Sequence, residues 1–146
     1  MFELSCADLQ AICRQVFPPL VQSLELEVTS ANGGVVEVRM PITKYTARPD
    51  GVMSGQALCS LADTAMVLAL TSAIGEFRPI ATVDLRVTFM GAVRDTDAIA
   101  TATVERVGAS LAFVSMVVTS QEGRVAVRAS ATFAMPRESG AKEKAA

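Results

Sequence analysis

The chain contains no histidine among its 146 residues. This absence excludes Ser-His-Asp and Cys-His nucleophilic catalysis, zinc sites with histidine ligands, and the Asp-His pair used by hydratases. Acid-base chemistry in this protein must therefore depend on carboxylates, hydroxyl groups, backbone amides or lysine. We expect no metal ion and no cofactor.

Cysteine, aromatic residues and excess positive charge are also scarce. The three cysteines are odd in number and lack metal-ligand spacing, so we expect reduced thiols. Aromatic residues make up 5% of the chain and the net charge is −2, which provides neither stacking platforms nor a basic field for nucleic acid. The N-terminal segment carries two acids and no basic residue before its apolar positions. Because a secretory signal has the opposite pattern, we expect a cytoplasmic protein.

Apolar residues are abundant, at 51% of the chain. This fraction and the length predict one domain over residues 1–136 with a single core. Residues 137–146 are small or charged and are expected to form a disordered tail. The most apolar stretch, residues 51–75, still holds an acid, a glutamine and several hydroxyl groups. We therefore expect no membrane-spanning helix and no membrane partner.

Residues 55–73 show the longest helical pattern in the chain. Ser54 is a suitable N-cap, and one face of the helix carries small and apolar side chains at helical spacing. These residues are Leu58, Leu61, Ala62, Ala65, Leu68, Ala69 and Ser72. The alanines would let the helix axis lie close to a covering sheet.

Asp63 is the only charged residue in this helical stretch. A step of roughly 100° per residue places it more than a quarter turn from the alanine face. Its neighbours on this second face are Gln56, Cys59, Val67 and Leu70. Because a helix that is apolar on all sides is buried on all sides, we expect the second face to meet a twin subunit. Asp63 is then either a structural residue held by an arginine or a backbone amide, or an acid or base in an interface cleft.

The remaining elements are predicted from shorter patterns. Residues 6–17 predict an amphipathic helix, residues 24–40 a hairpin, and residues 41–53 a loop that leads into the main helix. Four further strands are predicted at about residues 81–89, 98–107, 111–120 and 124–135. In the first of them, Thr82, Asp84, Arg86 and Thr88 alternate cleanly with apolar residues. The order predicts an α+β fold with a highly curved antiparallel sheet around the central helix.

The run Leu61-Ala62-Asp63-Thr64-Ala65 and the segment around it resemble the hotdog-fold acyl-CoA thioesterases of the PaaI-like, phenylacetate-pathway group. Residues 81–89 resemble that family's strand after its helix, and residues 108–118 and 126–133 resemble its last two strands. The resemblance implies the hotdog fold, in which a curved antiparallel sheet wraps around a long central helix. It also implies hydrolysis of an acyl-CoA thioester.

The resemblance further implies a set of catalytic residues. Asp63 falls at the family's catalytic acid, which acts as a general base for water or as a nucleophile. Gly55 falls where a backbone N–H at the helix N-terminus stabilises an oxyanion. Ser54 and Gln56 occupy the first and third positions of the family's His-Gly-Gly-like run. The serine side chain cannot reproduce the imidazole of the family's histidine. Gln56 and Thr64 are candidates for orienting water, or else they serve in capping and packing.

The resemblance also implies a substrate and an oligomeric state. Its substrate is an aromatic or medium-chain acyl-CoA, and the candidate phosphate contacts are Arg94, Arg106 and Arg48, each of which is otherwise a solvated surface charge. It implies a homodimer, and many relatives assemble two such dimers into a homotetramer.

A non-catalytic protein that binds acyl-CoA or another acyl ligand is the alternative function, favoured by the departures from the family pattern at Ser54 and Gln56. A hydratase on the same fold is disfavoured because it would need a histidine.

Overall fold

The computed structural model describes residues 3–136 as a six-stranded antiparallel sheet packed on one long helix. The elements in chain order are α1 (Cys6–Val16), α2 (Pro19–Gln22), β1 (Glu27–Asn32), β2 (Val35–Met40), α3 (Gly55–Ile74), β3 (Ala81–Phe89), β4 (Ala98–Val107), β5 (Leu111–Thr119) and β6 (Val125–Ala134). This order confirms the predicted α+β fold. The predicted disordered tail, residues 137–146, lies outside the described residues.

The central helix α3 begins and ends at recognisable capping residues. The Ser54 hydroxyl accepts a hydrogen bond from the Ala57 N–H at 3.1 Å, so Ser54 is the predicted N-cap. Gly75 ends the helix in the left-handed conformation, with φ of 91°, and its N–H donates to the Thr71 carbonyl. The helix therefore runs one residue beyond the predicted 55–73.

The alanine face of α3 forms the centre of the core, as predicted. Leu61, Ala62 and Ala65 have no exposed surface. Leu70, which we placed on the second face, is also fully buried, because the chain itself covers this end of the helix. By length and composition α3 is apolar enough to cross a membrane, but 72% of its most apolar 18-residue window is buried inside the fold.

The hairpin differs from its prediction at the start. Leu24 and Leu26 are buried as predicted, but they precede β1, which begins at Glu27. The cause is Glu25, whose φ of 55° is incompatible with an extended strand. The short helix α2 was not predicted; its Pro19 lies at the first helical position, which proline favours.

Strand β3 lies at one edge of the sheet, since the strand order is β1-β2-β4-β5-β6-β3. It pairs with β6, but Thr82 lies opposite Phe133 and Asp84 lies opposite Thr132, so Val83 is an extra residue. This β-bulge breaks the predicted alternation. An inserted residue moves the side chains on its two sides to opposite faces of the sheet, and Thr82 therefore points to the helix side while Asp84 does not.

Candidate active site

Asp63 is half-buried on the second face of α3, where its neighbours Cys59 and Val67 are also half-buried. Its Oδ1 accepts a hydrogen bond from the Thr82 hydroxyl at 2.9 Å. Within residues 3–136 this is the only hydrogen bond that Asp63 makes, and no arginine or lysine lies within ion-pair distance of it. Among these residues, neither an arginine nor a backbone amide holds Asp63, as the structural alternative would require. In the same part of the chain, Oδ2 accepts no hydrogen bond.

Thr82 reaches Asp63 because of the bulge in β3. Without the extra residue Val83, Thr82 would share the face of Asp84, whose carboxylate accepts from the Thr132 N–H on β6 at 3.1 Å. Thr82 was not predicted as a site residue, because a regular strand would place Thr82 on the same face as Asp84, away from α3. No local sequence signal marks the bulge, because Val83 is an ordinary strand residue.

The N-terminus of α3 presents two free backbone donors. The Ala57 N–H is bound by the Ser54 hydroxyl, and the Leu58 N–H is bound by the Ser54 carbonyl at 3.1 Å. The N–H groups of Gly55 and Gln56 donate to no protein atom in the part of the chain that the structure describes. Free N–H groups at the positive end of a 20-residue helix suit a negatively charged oxygen.

The other residues predicted for the site have more ordinary surroundings. Ser54 uses its hydroxyl as the helix cap. Gln56 is exposed at the first turn, whereas Thr64 is 3% exposed and belongs to the core. The structure therefore brings Ser54 and Gln56 next to Gly55, but it places Thr64 among buried side chains.

An aromatic ring stands over Gly55. A Cβ atom built on Gly55 would lie 3.5 Å from Cζ and 3.7 Å from Cε1 of Phe89, the last residue of β3. The missing side chain of glycine leaves a narrow space between the helix N-terminus and this ring. Phe89 was not predicted as a site residue.

The three candidate arginines are separated. Arg48 pairs with Asp50 at 2.8 Å, and Nη1 of Arg94 donates to the Asp50 carbonyl at 2.9 Å, so both gather at the loop that leads into α3. The hydrogen bond from Arg48 holds the pKa of Asp50 below its usual value. Arg106 lies elsewhere, exposed near the end of β4 and opposite Phe113 of β5.

Gly55 and Asp63 of one chain do not converge. They are eight residues apart on α3, and a rise of about 1.5 Å per residue separates them by about 12 Å along the helix axis. A reacting carbonyl group needs its oxyanion donor and its base or nucleophile within roughly 3 to 3.5 Å of its own atoms. The two groups therefore cannot act on the same carbonyl from a single chain.

Sequence comparison gives the family to which these elements belong. The sequence model of the thioesterase superfamily matches residues 50–127, from the loop before α3 into β6. The chain therefore belongs to the thioesterase superfamily. A search among curated proteins found no match.

Solved structures share the fold of this chain. A conserved protein from Pseudomonas aeruginosa is 30% identical, covers 84% of this chain and 98% of its own, and superposes with a TM-score of 0.77. A thioesterase from Haemophilus influenzae is 21% identical over 92% of each chain, with a TM-score of 0.82. The E. coli PaaI protein from the phenylacetic acid degradation operon is 19% identical over 87% of this chain and 89% of its own, with a TM-score of 0.75. The predicted hotdog fold and the predicted thioesterase family are confirmed, and the fold is shared with the PaaI protein.

Proposed function

We propose that the protein hydrolyses an aromatic or medium-chain acyl-CoA thioester to the free acid and coenzyme A. The observation that carries this proposal is the half-buried Asp63 carboxylate, of which Thr82 holds one oxygen while the other has no hydrogen-bond partner among residues 3–136. The superfamily supports thioester chemistry. The acyl group and the carrier are inferred from the resemblance and from the apolar surroundings of the site.

Two symmetric sites form in a homodimer. Since Gly55 and Asp63 of one chain are about 12 Å apart along the helix, each site combines the Gly55 N–H of one subunit with Asp63 of the partner subunit. A two-fold axis that sets the two copies of α3 side by side and antiparallel brings both pairs together at once. Pairing of such dimers would give the homotetramer.

The exposed edge of the sheet supports this dimer. Within residues 3–136, β3 pairs with β6 alone, and Val83 near the start of β3 is 58% exposed. An unpaired apolar edge strand is a template for pairing with another chain. Pairing of β3 with its own copy around the two-fold axis would cover this edge and bring the second faces of the two α3 helices together.

In the general-base route, the thioester oxygen accepts from the Gly55 N–H, and water adds to the carbonyl carbon as Asp63 takes its proton. Collapse of the tetrahedral intermediate breaks the C–S bond, and the departing thiolate receives the proton. In the nucleophilic route, the Asp63 carboxylate adds first, the thiolate leaves, and water hydrolyses the mixed anhydride. Both routes need the free oxygen of Asp63.

The remaining site residues have supporting roles. Ser54 holds the helix N-terminus in place through its cap, and the exposed Gln56 is the candidate for orienting water. Thr64, which is 3% exposed, has a packing role instead. Arg48 and Arg94, at the loop that leads into α3, and the separate Arg106 on β4 are the candidates for contacts with the phosphates of coenzyme A. Contacts so far from the reacting carbon would act on KM rather than on kcat.

Thiol release from a panel of aromatic and medium-chain acyl-CoA thioesters tests this function. We expect turnover with at least one member, by a protein whose mass in light scattering is that of a dimer or tetramer. Absence of turnover with every thioester, or a monomer of about 15 kDa at micromolar concentration, would contradict the proposal.

A non-catalytic acyl-ligand protein is the second candidate. It is favoured by Ser54, which stands where the family has a histidine and whose hydroxyl is engaged in capping. Tight binding of an acyl-CoA in calorimetry, together with no thiol release, would identify the protein as a binder.

A further inference from the structure

The Phe89 ring borders the Cα of Gly55, the residue whose N–H is the proposed oxyanion donor. Its ring atoms lie 3.5 and 3.7 Å from the position of a Cβ atom on Gly55, yet the residue is 49% exposed. Its strand partner on β6, Val127, is fully buried. The ring is therefore at the border of the core, with one side against the helix end and the other side open.

The backbone after Phe89 holds the ring in this position. The N–H groups of Met90 and Gly91 both donate to the carbonyl of Ala126 on the neighbouring strand, at 2.8 and 3.1 Å. Met90 is also half-exposed, at 50%. The end of β3 thus presents fixed apolar surface beside the free N–H groups of α3.

We propose that Phe89 is the wall of the acyl pocket and determines which acyl groups are accepted. This inference rests on the proposed function. With the thioester oxygen at the Gly55 N–H, a substituent of the carbonyl carbon must lie along the ring, because the ring bounds the space over Gly55. The pantetheine arm carries amides that need hydrogen-bond partners, which a phenyl ring does not supply. The acyl group gains by burying apolar surface there, so the accepted acyl group is uncharged and slender or flat.

The test compares acyl preference in three variants. Phe89→Ala opens the wall, Phe89→Leu keeps its apolar character with a different shape, and Phe113→Ala is the matched control. Phe113 is also half-exposed, at 40%, but it lies on β5 opposite Arg106. For each variant, kcat/KM is measured with butanoyl-, octanoyl-, dodecanoyl- and phenylacetyl-CoA, and the mass is measured by light scattering.

We expect Phe89→Ala to change the ratio of kcat/KM between the best and the bulkiest acyl group by at least about tenfold, in favour of the bulkier one. Phe89→Leu should give an intermediate ratio, and Phe113→Ala should retain the parental ratio. If Phe89→Ala lowers kcat/KM by the same factor for all four thioesters, or leaves it unchanged, the assignment of Phe89 is overturned. A fall to a monomeric mass would also overturn it, since Phe89 would then be a subunit contact.

Parental turnover separates this inference from the proposed function. If the parent hydrolyses none of the four thioesters, the function fails, and the same ratios are taken from dissociation constants for the four acyl-CoAs. A changed affinity ratio in Phe89→Ala would still support the acyl wall, whereas equal ratios in parent and variant would overturn it.

Discussion

At the scale of single residues, the contact that matters most is the hydrogen bond from Thr82 to Asp63. It uses a hydroxyl group that carries no charge, so Asp63 has no fixed counter-ion among residues 3–136. A half-buried carboxylate without a counter-ion contributes little to stability and is costly to retain. Its free oxygen is the feature that a hydrolase would use.

Asp63→Asn should abolish hydrolysis while leaving the fold and the oligomer intact. The asparagine carbonyl oxygen can still accept from Thr82, so the stability change should stay below about 1 kcal/mol. The basic oxygen is lost, so kcat should fall by about two orders of magnitude or more. Steady-state kinetics and thermal melts measure the two effects. Asp84→Asn, on the same strand as Thr82, should keep the parental rate, and near-parental hydrolysis by Asp63→Asn would refute the role of Asp63.

Thr82 is expected to position Asp63. Thr82→Val keeps the shape but removes the donor, so the carboxylate would turn away from its reactive orientation and kcat should fall by about tenfold or more. KM should change little, because Thr82 does not contact the acyl group in the proposed site. Thr82→Ser retains the hydroxyl and should recover most of the rate. Equal kcat in the valine and serine variants would show that the hydrogen bond has no role.

At the scale of elements, the sequence predicted α3 and most strands because their signals are strong and local. Ser54 and Gly75 mark the two ends of α3, and small and apolar residues repeat at helical spacing between them. The acid on the second face was predictable for the same reason. The bulge at Val83 was not predictable, because it arises from pairing with a strand about 50 residues later and not from the residues of β3 themselves. Because the bulge was not predicted, the contacts of Thr82 and Phe89 with α3 were not predicted either.

The N-terminus of α3 allows the oxyanion donor to be removed without breaking the helix. Gly55 is the first helical residue, where proline is well tolerated, and Ser54 before it is extended, with ψ of 151°. A Cβ there meets only the Phe89 ring at ordinary contact distance. Gly55→Pro should therefore fold normally yet lower kcat by roughly two to three orders of magnitude.

Gly55→Ala is the matched control for this change, because it adds a Cβ and keeps the N–H. We expect it to retain kcat within about tenfold and to affect KM through the narrowed space under Phe89. If the alanine and proline variants lost activity equally, steric blockage and not the missing N–H would be the cause. Circular dichroism checks that α3 is intact in both.

At the scale of the whole molecule, the proposed dimer makes a prediction about Cys59. This residue lies halfway between Gly55 and Asp63 on α3. If each Gly55 faces Asp63 of the partner subunit, the two-fold axis brings the two copies of Cys59 opposite each other. A short bis-maleimide should then link two subunits into a species of about 30 kDa in denaturing gels.

The cross-link should depend on pH and on Cys59 alone. Burial raises the pKa of the Cys59 thiol, so the reactive thiolate and the cross-linking rate should increase as the pH is raised from about 7 to about 9. Cys59→Ser should abolish the linked species, whereas Cys6→Ser should not. An unlinked Cys59 under conditions where light scattering finds a dimer would require a different arrangement of the two helices.

The most direct test of the shared site is a heterodimer of two inactive chains. Asp63→Asn retains Gly55, and Gly55→Pro retains Asp63, so their heterodimer, purified through two different tags, contains one complete site. We expect about half of the parental rate per dimer. A heterodimer of the parent with the Gly55→Pro/Asp63→Asn double variant contains no complete site and should be inactive. The reverse pattern, an inactive first heterodimer and a half-active second one, would place Gly55 and Asp63 of the same chain in one site and contradict the proposal.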